Sequence, residues 1–199
     1  YYDIYIYKGN RLDDGQPGGQ IIDTSPVVTD YDYVIISREN NLPCNFLNLG
    51  MSNVSWWNGG ENVNVAAYEG NQCSAVITPA GGWYGYGMDG DYDGEVNFAG
   101  LQNYKVVFYY YSSDNAPFYV TLAGSNQVVI TPTATNQWVR VERNVSDFGT
   151  VFGKMTKTNI VTYGNSGNAT RRTLAIDNVY FYRGNDIVAC AVQPDTQKP

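Results

Sequence analysis

The 199-residue chain contains no histidine. That absence removes the commonest general base and the commonest metal ligand of proteins. A Ser-His-Asp triad is excluded, and no zinc-type Cys/His cluster exists. Charge is also scarce. Only 16% of residues are charged, and acids outnumber bases by 19 to 12, giving a net charge of -7 and a pI near 4.4. Such a chain repels a polyanion, so no nucleic-acid partner is expected, and a neutral ligand fits the balance better. No run of about 18 apolar residues occurs, so no membrane span is expected. Helix signals are nearly missing: Ser146-Asp147-Phe148-Gly149 reads as one short helical turn. No signal peptide is visible either. The chain opens on the strand-like Tyr1-Tyr-Asp-Ile-Tyr-Ile-Tyr7, as expected of a domain whose leader was removed or which was cut from a longer protein.

Cysteine is sparse. Cys44, Cys73 and Cys190 permit one disulfide with one thiol left over. Cys44–Cys73 is the expected pair because Cys190 lies in the terminal stretch; three reduced thiols are the alternative. Three Asn-x-Ser/Thr triplets, at Asn53, Asn144 and Asn168, arise readily by chance in an Asn/Thr-rich chain.

Aromatics are abundant. They make up 15% of the chain, with eighteen tyrosines, and glycine is plentiful at 21 residues. Period-two alternation dominates the sequence. Strands are expected around Ile4 and Ile6, and over 31–37, 62–68, 73–78, 104–111, 118–122, 127–131, 138–143, 159–163 and 173–182. Gly/Asn/Pro clusters separate them. About ten short strands and little or no helix imply an all-β fold, an antiparallel β-sandwich or jelly roll. Residues 1–190 read as a single domain containing a flexible loop at Asp13–Gly19, and 191–199 as a linker to further modules.

Several aromatics lie in Gly/Asn-rich stretches, Ser55-Trp-Trp-Asn-Gly-Gly60 and Gly81-Gly-Trp-Tyr-Gly-Tyr-Gly87. Flat rings beside amides suit a pyranose. The sugar's apolar face stacks on the ring, while its hydroxyls bond to neighbouring polar groups. Trp56, Trp57, Trp83, Tyr84 and Tyr86 are therefore candidate ligand-binding residues, with Asn58, Asn53 and Gln72 as amide partners. The alternative is that these rings are structural, since one of two adjacent tryptophans on a strand points inward. Along 104–111, Val106, Phe108 and Tyr110 share one face, and Val107, Tyr109 and Tyr111 the other.

Asp89-Gly-Asp91-Tyr-Asp93-Gly94-Glu95 opens like an EF-hand loop, but its twelfth position is Gly100 and flanking helices are missing, which excludes an EF-hand. A calcium site of another type at Asp89, Asp91 and Asp93 stands against a solvated acidic turn. Glycoside hydrolysis needs two carboxylates and no histidine. However, the E-x-D-x-x-E strand of β-sandwich glucanases is missing, and the acidic balance disfavours the anionic substrates of lyases.

Two motifs carry a resemblance. Trp138-Val-Arg-Val-Glu-Arg-Asn-Val-Ser-Asp-Phe-Gly149 precedes Leu174-Ala-Ile-Asp-Asn-Val-Tyr-Phe-Tyr182, and Tyr68-Glu-Gly-Asn, Gly81-Gly-Trp-Tyr-Gly85 and Leu101–Tyr111 come before them. Over residues 60–183 this resembles the jelly-roll carbohydrate-binding modules attached to bacterial polysaccharide-degrading enzymes. The resemblance implies that Phe108 and Trp138 are core rings and that Tyr109 and Tyr111 line an outer glycan-holding sheet. It also implies that Asp177 helps hold a structural calcium, with a partner among Asp3, Asp13 and Asp14; an aspartate capping a strand bulge is the alternative. The expected function is non-catalytic, extracellular binding of a neutral plant-type polysaccharide (β-glucan, xylan or mannan) that targets an attached enzyme. A tyrosine-rich adhesive domain binding protein and a carboxylate-dependent glycoside hydrolase are the alternatives.

Overall fold

The computed structural model describes residues 25–50, 53–57, 61–70, 73–78, 84–89, 95–122, 126–149, 153–155, 161–165 and 171–186. They form fourteen strands: β1 (Tyr33–Ile35), β2 (Phe46–Asn48), β3 (Asn53–Trp57), β4 (Glu61–Asn62), β5 (Ser74–Ile77), β6 (Tyr84–Asp89), β7 (Val96–Asn97), β8 (Lys105–Ser112), β9 (Phe118–Leu122), β10 (Val128–Ile130), β11 (Trp138–Asn144), β12 (Lys154–Met155), β13 (Val161–Asn165) and β14 (Thr173–Tyr182). A seven-stranded sheet runs β11-β8-β14-β1-β2, with β5 pairing the first half of β14 and β4 pairing β5. A five-stranded sheet runs β10-β9-β13-β6-β3. Every pairing of named strands is antiparallel except β1 with β2. Among the described residues, helix is limited to three 3-10 turns. One covers Val145–Phe148 and ends at Gly149, whose φ of 71° suits glycine.

The two sheets pack face to face, as the alternation requires. Val106, Phe108 and Tyr110 of β8 meet Leu174, Ile176 and Phe181 of β14, Phe118, Val120 and Leu122 of β9, and Val161 and Tyr163 of β13. Buried tyrosines need partners for their hydroxyls. Tyr104 donates to the carbonyls of Val28 (2.9 Å) and Tyr31 (2.6 Å), and the Tyr110 hydroxyl accepts the Thr133 N–H at 2.9 Å. Part of the tyrosine surplus is therefore core.

Three expectations need correction. The alternating 62–68 stretch is not a strand beyond Asn62. Its burial does alternate, but the segment lies across the outer face of the seven-stranded sheet, and side chains satisfy much of its backbone. The Trp138 indole N–H donates to Ala66 O at 3.0 Å, and Asp177 accepts the Tyr68 N–H at 2.8 Å. Trp138 is not a core ring. Val139 and Val141 take the inward positions of β11, so Trp138 stands half-buried outside. Finally, Cys44 is disulfide-bonded while Cys73 keeps its thiol, so they are not partners. The strand expected at Ile4–Ile6, the Asp13–Gly19 loop and the 191–199 linker lie outside the described residues.

Candidate functional site

The outer faces of the two sheets differ in kind. On the seven-stranded sheet, aromatic rings pack on one another. Tyr68 stacks on Tyr109 with centroids 3.7 Å apart and planes at 20°. Trp138 meets Tyr68 edge-on at 6.4 Å and Tyr111 at 5.9 Å. The Tyr109 ring is covered, and burial together with the hydroxyl contact from Tyr68 pushes its phenol up to about 12. Tyr180 and Tyr182 on the same face are each 3% exposed. Arg38 lies over the first ring at 5.1 Å and Lys105 over the second at 5.8 Å. The expected platform residues Tyr109 and Tyr111 are thus assembled with Tyr68, which is the exposed ring at 42%.

Asp177 anchors this arrangement. One carboxylate oxygen accepts the N–H groups of Tyr68 (2.8 Å) and Glu69 (3.3 Å), and the other accepts that of Asn178 (2.6 Å). The β14–β8 register shifts here, and Asn178 sits at φ 51°. Asp177 therefore caps a β-bulge and ties residues 68 and 69 to the sheet. This does not suit a calcium ligand: a carboxylate whose oxygens face N–H donors presents them to positive dipoles, not to a cation. No group of three potential acidic or thiol ligands occurs among the described residues. The calcium expectation then rests on Asp89, at the end of β6, and on Asp91 and Asp93, which lie outside the described residues, as do Asp3, Asp13 and Asp14.

Burial pushes the Asp177 carboxyl up to about 6, against the pull of its three N–H donors. Because the folded value exceeds the unfolded one, stability rises as pH falls from about 6 toward 4. Glu142 acts in the opposite sense. Hydrogen bonds from Lys105 and Arg140 hold it down to about 2, so its contribution is lost as pH falls below about 4. The melting temperature is therefore expected to peak between about pH 4 and 6, and Asp177→Asn should flatten the limb above the peak. A wild-type curve that rises steadily to pH 8 would contradict this.

The outer face of the five-stranded sheet is built differently. Phe118, Val120, Leu122, Val161 and Tyr163 point into the core, so Tyr119, Thr121, Thr162 and Gly164 take outer positions. The register then fixes the other strands. Gly164 pairs with Gly85 and with Tyr119, and Gly85 pairs with Trp57. Alongside runs a second row, in which Thr162 pairs with Thr121 and Gly87, and Gly87 with Ser55. Gly85 and Gly164 separate positions 57 and 119, three strand spacings or about 14 Å apart, with Gly87 and Thr121 in the row beside them. Gly85, Gly87 and Gly164 are buried, and Tyr119 beside them is 7% exposed. Glycine inside a strand weakens it and marks a place where something approaches the backbone closely. Position 56 pairs with 86, and 86 with Tyr163; the side chains of Trp56, Trp57, Tyr84, Tyr86 and Asp89 lie outside the described residues. No strand was expected over 84–89, but these residues form one with neighbours on both sides. Asn58 and Trp83 lie outside the described residues. The sequence reading missed Tyr119, Thr121, Thr162 and the three glycines. The signal was the Tyr-Gly-Tyr-Gly alternation at 84–87, which is a strand with one bare face.

Glu142 and Asp186 do not make a hydrolase pair. Glu142 and Asp186 both bind Arg140 Nη2 at 2.7 Å, and Glu142 also pairs with Lys105 at 2.8 Å. Salt-bridged carboxylates cannot serve as the general acid such an enzyme needs. Asp177 has a suitable pKa but is fully buried. The exposed large hydrophobics among the described residues are Tyr68 and Val129, which lie on opposite sheets. They do not form the contiguous apolar patch of a protein-binding face.

No family model matches the chain, and no curated protein matches it in sequence. Solved structures of similar fold do exist. A mutant of a family 29 carbohydrate-binding module complexed with mannohexaose is 15% identical, over 77% of this chain and 93% of that one, at a TM-score of 0.48. The family 11 carbohydrate-binding module of a cellulosomal cellulase of Clostridium thermocellum is 12% identical, over 66% and 87%, at 0.44. The glycoside hydrolase domain structure of Endo-D from Streptococcus pneumoniae R6 is 10% identical, over 67% of this chain but 22% of that one, at 0.43. Each of these is a likeness to a solved structure.

Proposed function

We propose that this chain is a non-catalytic carbohydrate-binding domain that holds a neutral polysaccharide across the outer face of its five-stranded sheet. One observation carries the reading: on the outer side of this sheet the strand register sets Gly164 between Gly85 and Tyr119, with Gly85 paired to position 57 and Thr121 and Gly87 in the row beside them. A flat ligand bearing hydroxyls on its edge and C–H groups on its face matches such a floor. Stacking supplies about 1 kcal/mol per ring beyond area burial. Such ring and hydrogen-bond contacts give micromolar to millimolar affinity. The net charge of -7 favours a neutral glycan over an acidic one. A plant-type β-glucan, xylan or mannan bound outside the cell, for the benefit of an attached enzyme, is the setting in which weak affinity is useful.

Affinity electrophoresis tests this directly. The wild type should be retarded in gels containing at least one soluble neutral β-glycan, and Trp57→Ala should lose most of that retardation while its thermal melt stays cooperative. A variant that binds as tightly as the wild type would remove Trp57 from the site.

A further inference from the structure

We propose that the opposite sheet carries a second, independent sugar-stacking site centred on Tyr68, which makes the domain bivalent toward glycan chains. The proposal rests on the carbohydrate-binding reading above. Tyr68 has one ring face against Tyr109 at 3.7 Å and its edge near Trp138, yet it remains 42% exposed, so its other ring face is the open one. The ring is held in advance of any ligand. Its own N–H is tied to Asp177, the Trp138 indole N–H holds Ala66 O at 3.0 Å, and Trp138 is braced in turn by Tyr111. A ring ordered beforehand loses little freedom on binding.

The surroundings select the occupant. Tyr180 and Tyr182 on this face are already covered by Arg38 and Lys105, which leaves Tyr68 as the available platform among the described rings of the face. The nearby charges are matched: Arg38 with Glu69 (4.0 Å), Lys105 with Glu142 (2.8 Å), and Arg140 with Glu142 and Asp186 (2.7 Å each). Each of these three cations is matched by a carboxylate, and the Asp177 carboxylate beneath Tyr68 is fully buried. A lone open ring among paired ions, with the exposed Asn136 amide beyond Tyr111 (3.3 Å to its hydroxyl), suits the C–H face and hydroxyls of one or two neutral pyranose residues. Because this ring and the Trp57–Tyr119 trough lie on opposite sheets, two glycan chains can be held at once and joined without covalent linkage.

An NMR titration of the full chain with cellohexaose, xylohexaose and mannohexaose tests the proposal. One hexasaccharide should perturb two separate sets of amides, at Gly85, Thr162 and Gly164 and at Ala66–Glu69, with the second set saturating at several-fold higher ligand concentration. Tyr68→Ala should remove the second set and leave the trough affinity within about twofold. Gly164→Val should do the reverse, which guards against a misfolded Tyr68 variant. Perturbation confined to the trough in the wild type would overturn the second site and leave the proposed function standing. No perturbation by any of these glycans would overturn both.

Discussion

Gly164→Val is expected to abolish glycan binding while leaving the fold intact. Gly164 sits between Gly85 and Tyr119 on the outer side of the central strand β13, so a branched side chain there stands up from the floor of the trough. A ligand lying across the strands would be lifted off this row of positions and lose its contacts there. One ring contact and one hydrogen bond at about 1 kcal/mol each amount to a loss on the order of 30-fold in affinity. Strand propensity moves the other way. Valine suits a strand better than glycine, so the intrinsic backbone contribution to stability should rise by roughly 0.5–1 kcal/mol. Because Gly164 is buried, the added branches must be accommodated at a cost that offsets this gain, so the expected pair is lost binding with a still cooperative melt, read by affinity electrophoresis and a thermal melt. Gly164→Ala should fall between the two. If binding survives in Gly164→Val, the ligand does not cross this floor.

Arg172→Met is expected to destabilise the domain by about 3–5 kcal/mol. The side chain is 1% exposed and pairs with Asp114 at 2.8 Å. It also donates to the carbonyls of Ala116 and Pro117 and lies over the Phe118 ring at 5.9 Å. Its backbone is tied to Thr78 in both directions. One guanidinium thus fixes the turn that leads into β9, the strand that carries Tyr119. Methionine fills the volume but leaves a carboxylate and two carbonyls without this donor. For a domain of this size the loss corresponds to roughly 10 °C in melting temperature. Binding measured well below the melt should also weaken, because the Tyr119 edge of the trough would lose its anchor. A fall of less than about 1 kcal/mol would show that the ionic cluster is dispensable.

The sheets were largely legible in the sequence, and the faces only partly so. β9 and β14 have the expected bounds, because Phe118–Leu122 and Thr173–Tyr182 are dense β-formers between clear turns. Phe108 and Phe181 are core rings, as their alternation and motif implied. The errors share a cause: alternation reports that a segment is half-buried, not which layer it lies in. Residues 63–68 alternate because they lie on a sheet, not in one. Trp138 starts its strand on the outer register, and nothing local to its motif says so. The Trp83–Tyr86 stretch looked like loop because glycine is read as a breaker, whereas here glycine alternating with tyrosine forms a strand with a bare outer face. Tyr68 gave no signal of its own, since its exposure depends on Asp177, more than a hundred residues away.

The central claim is that the domain recognises a neutral glycan. A glycan array probed at pH 7 with the intact chain tests it most directly, because it covers class and ligand together. The account predicts signal on neutral β-linked plant glycans, weak or no signal on uronic-acid-rich ones, and the same pattern, strongly reduced, for Gly164→Val. An array on which no neutral glycan is bound, or on which acidic glycans are preferred, would contradict it.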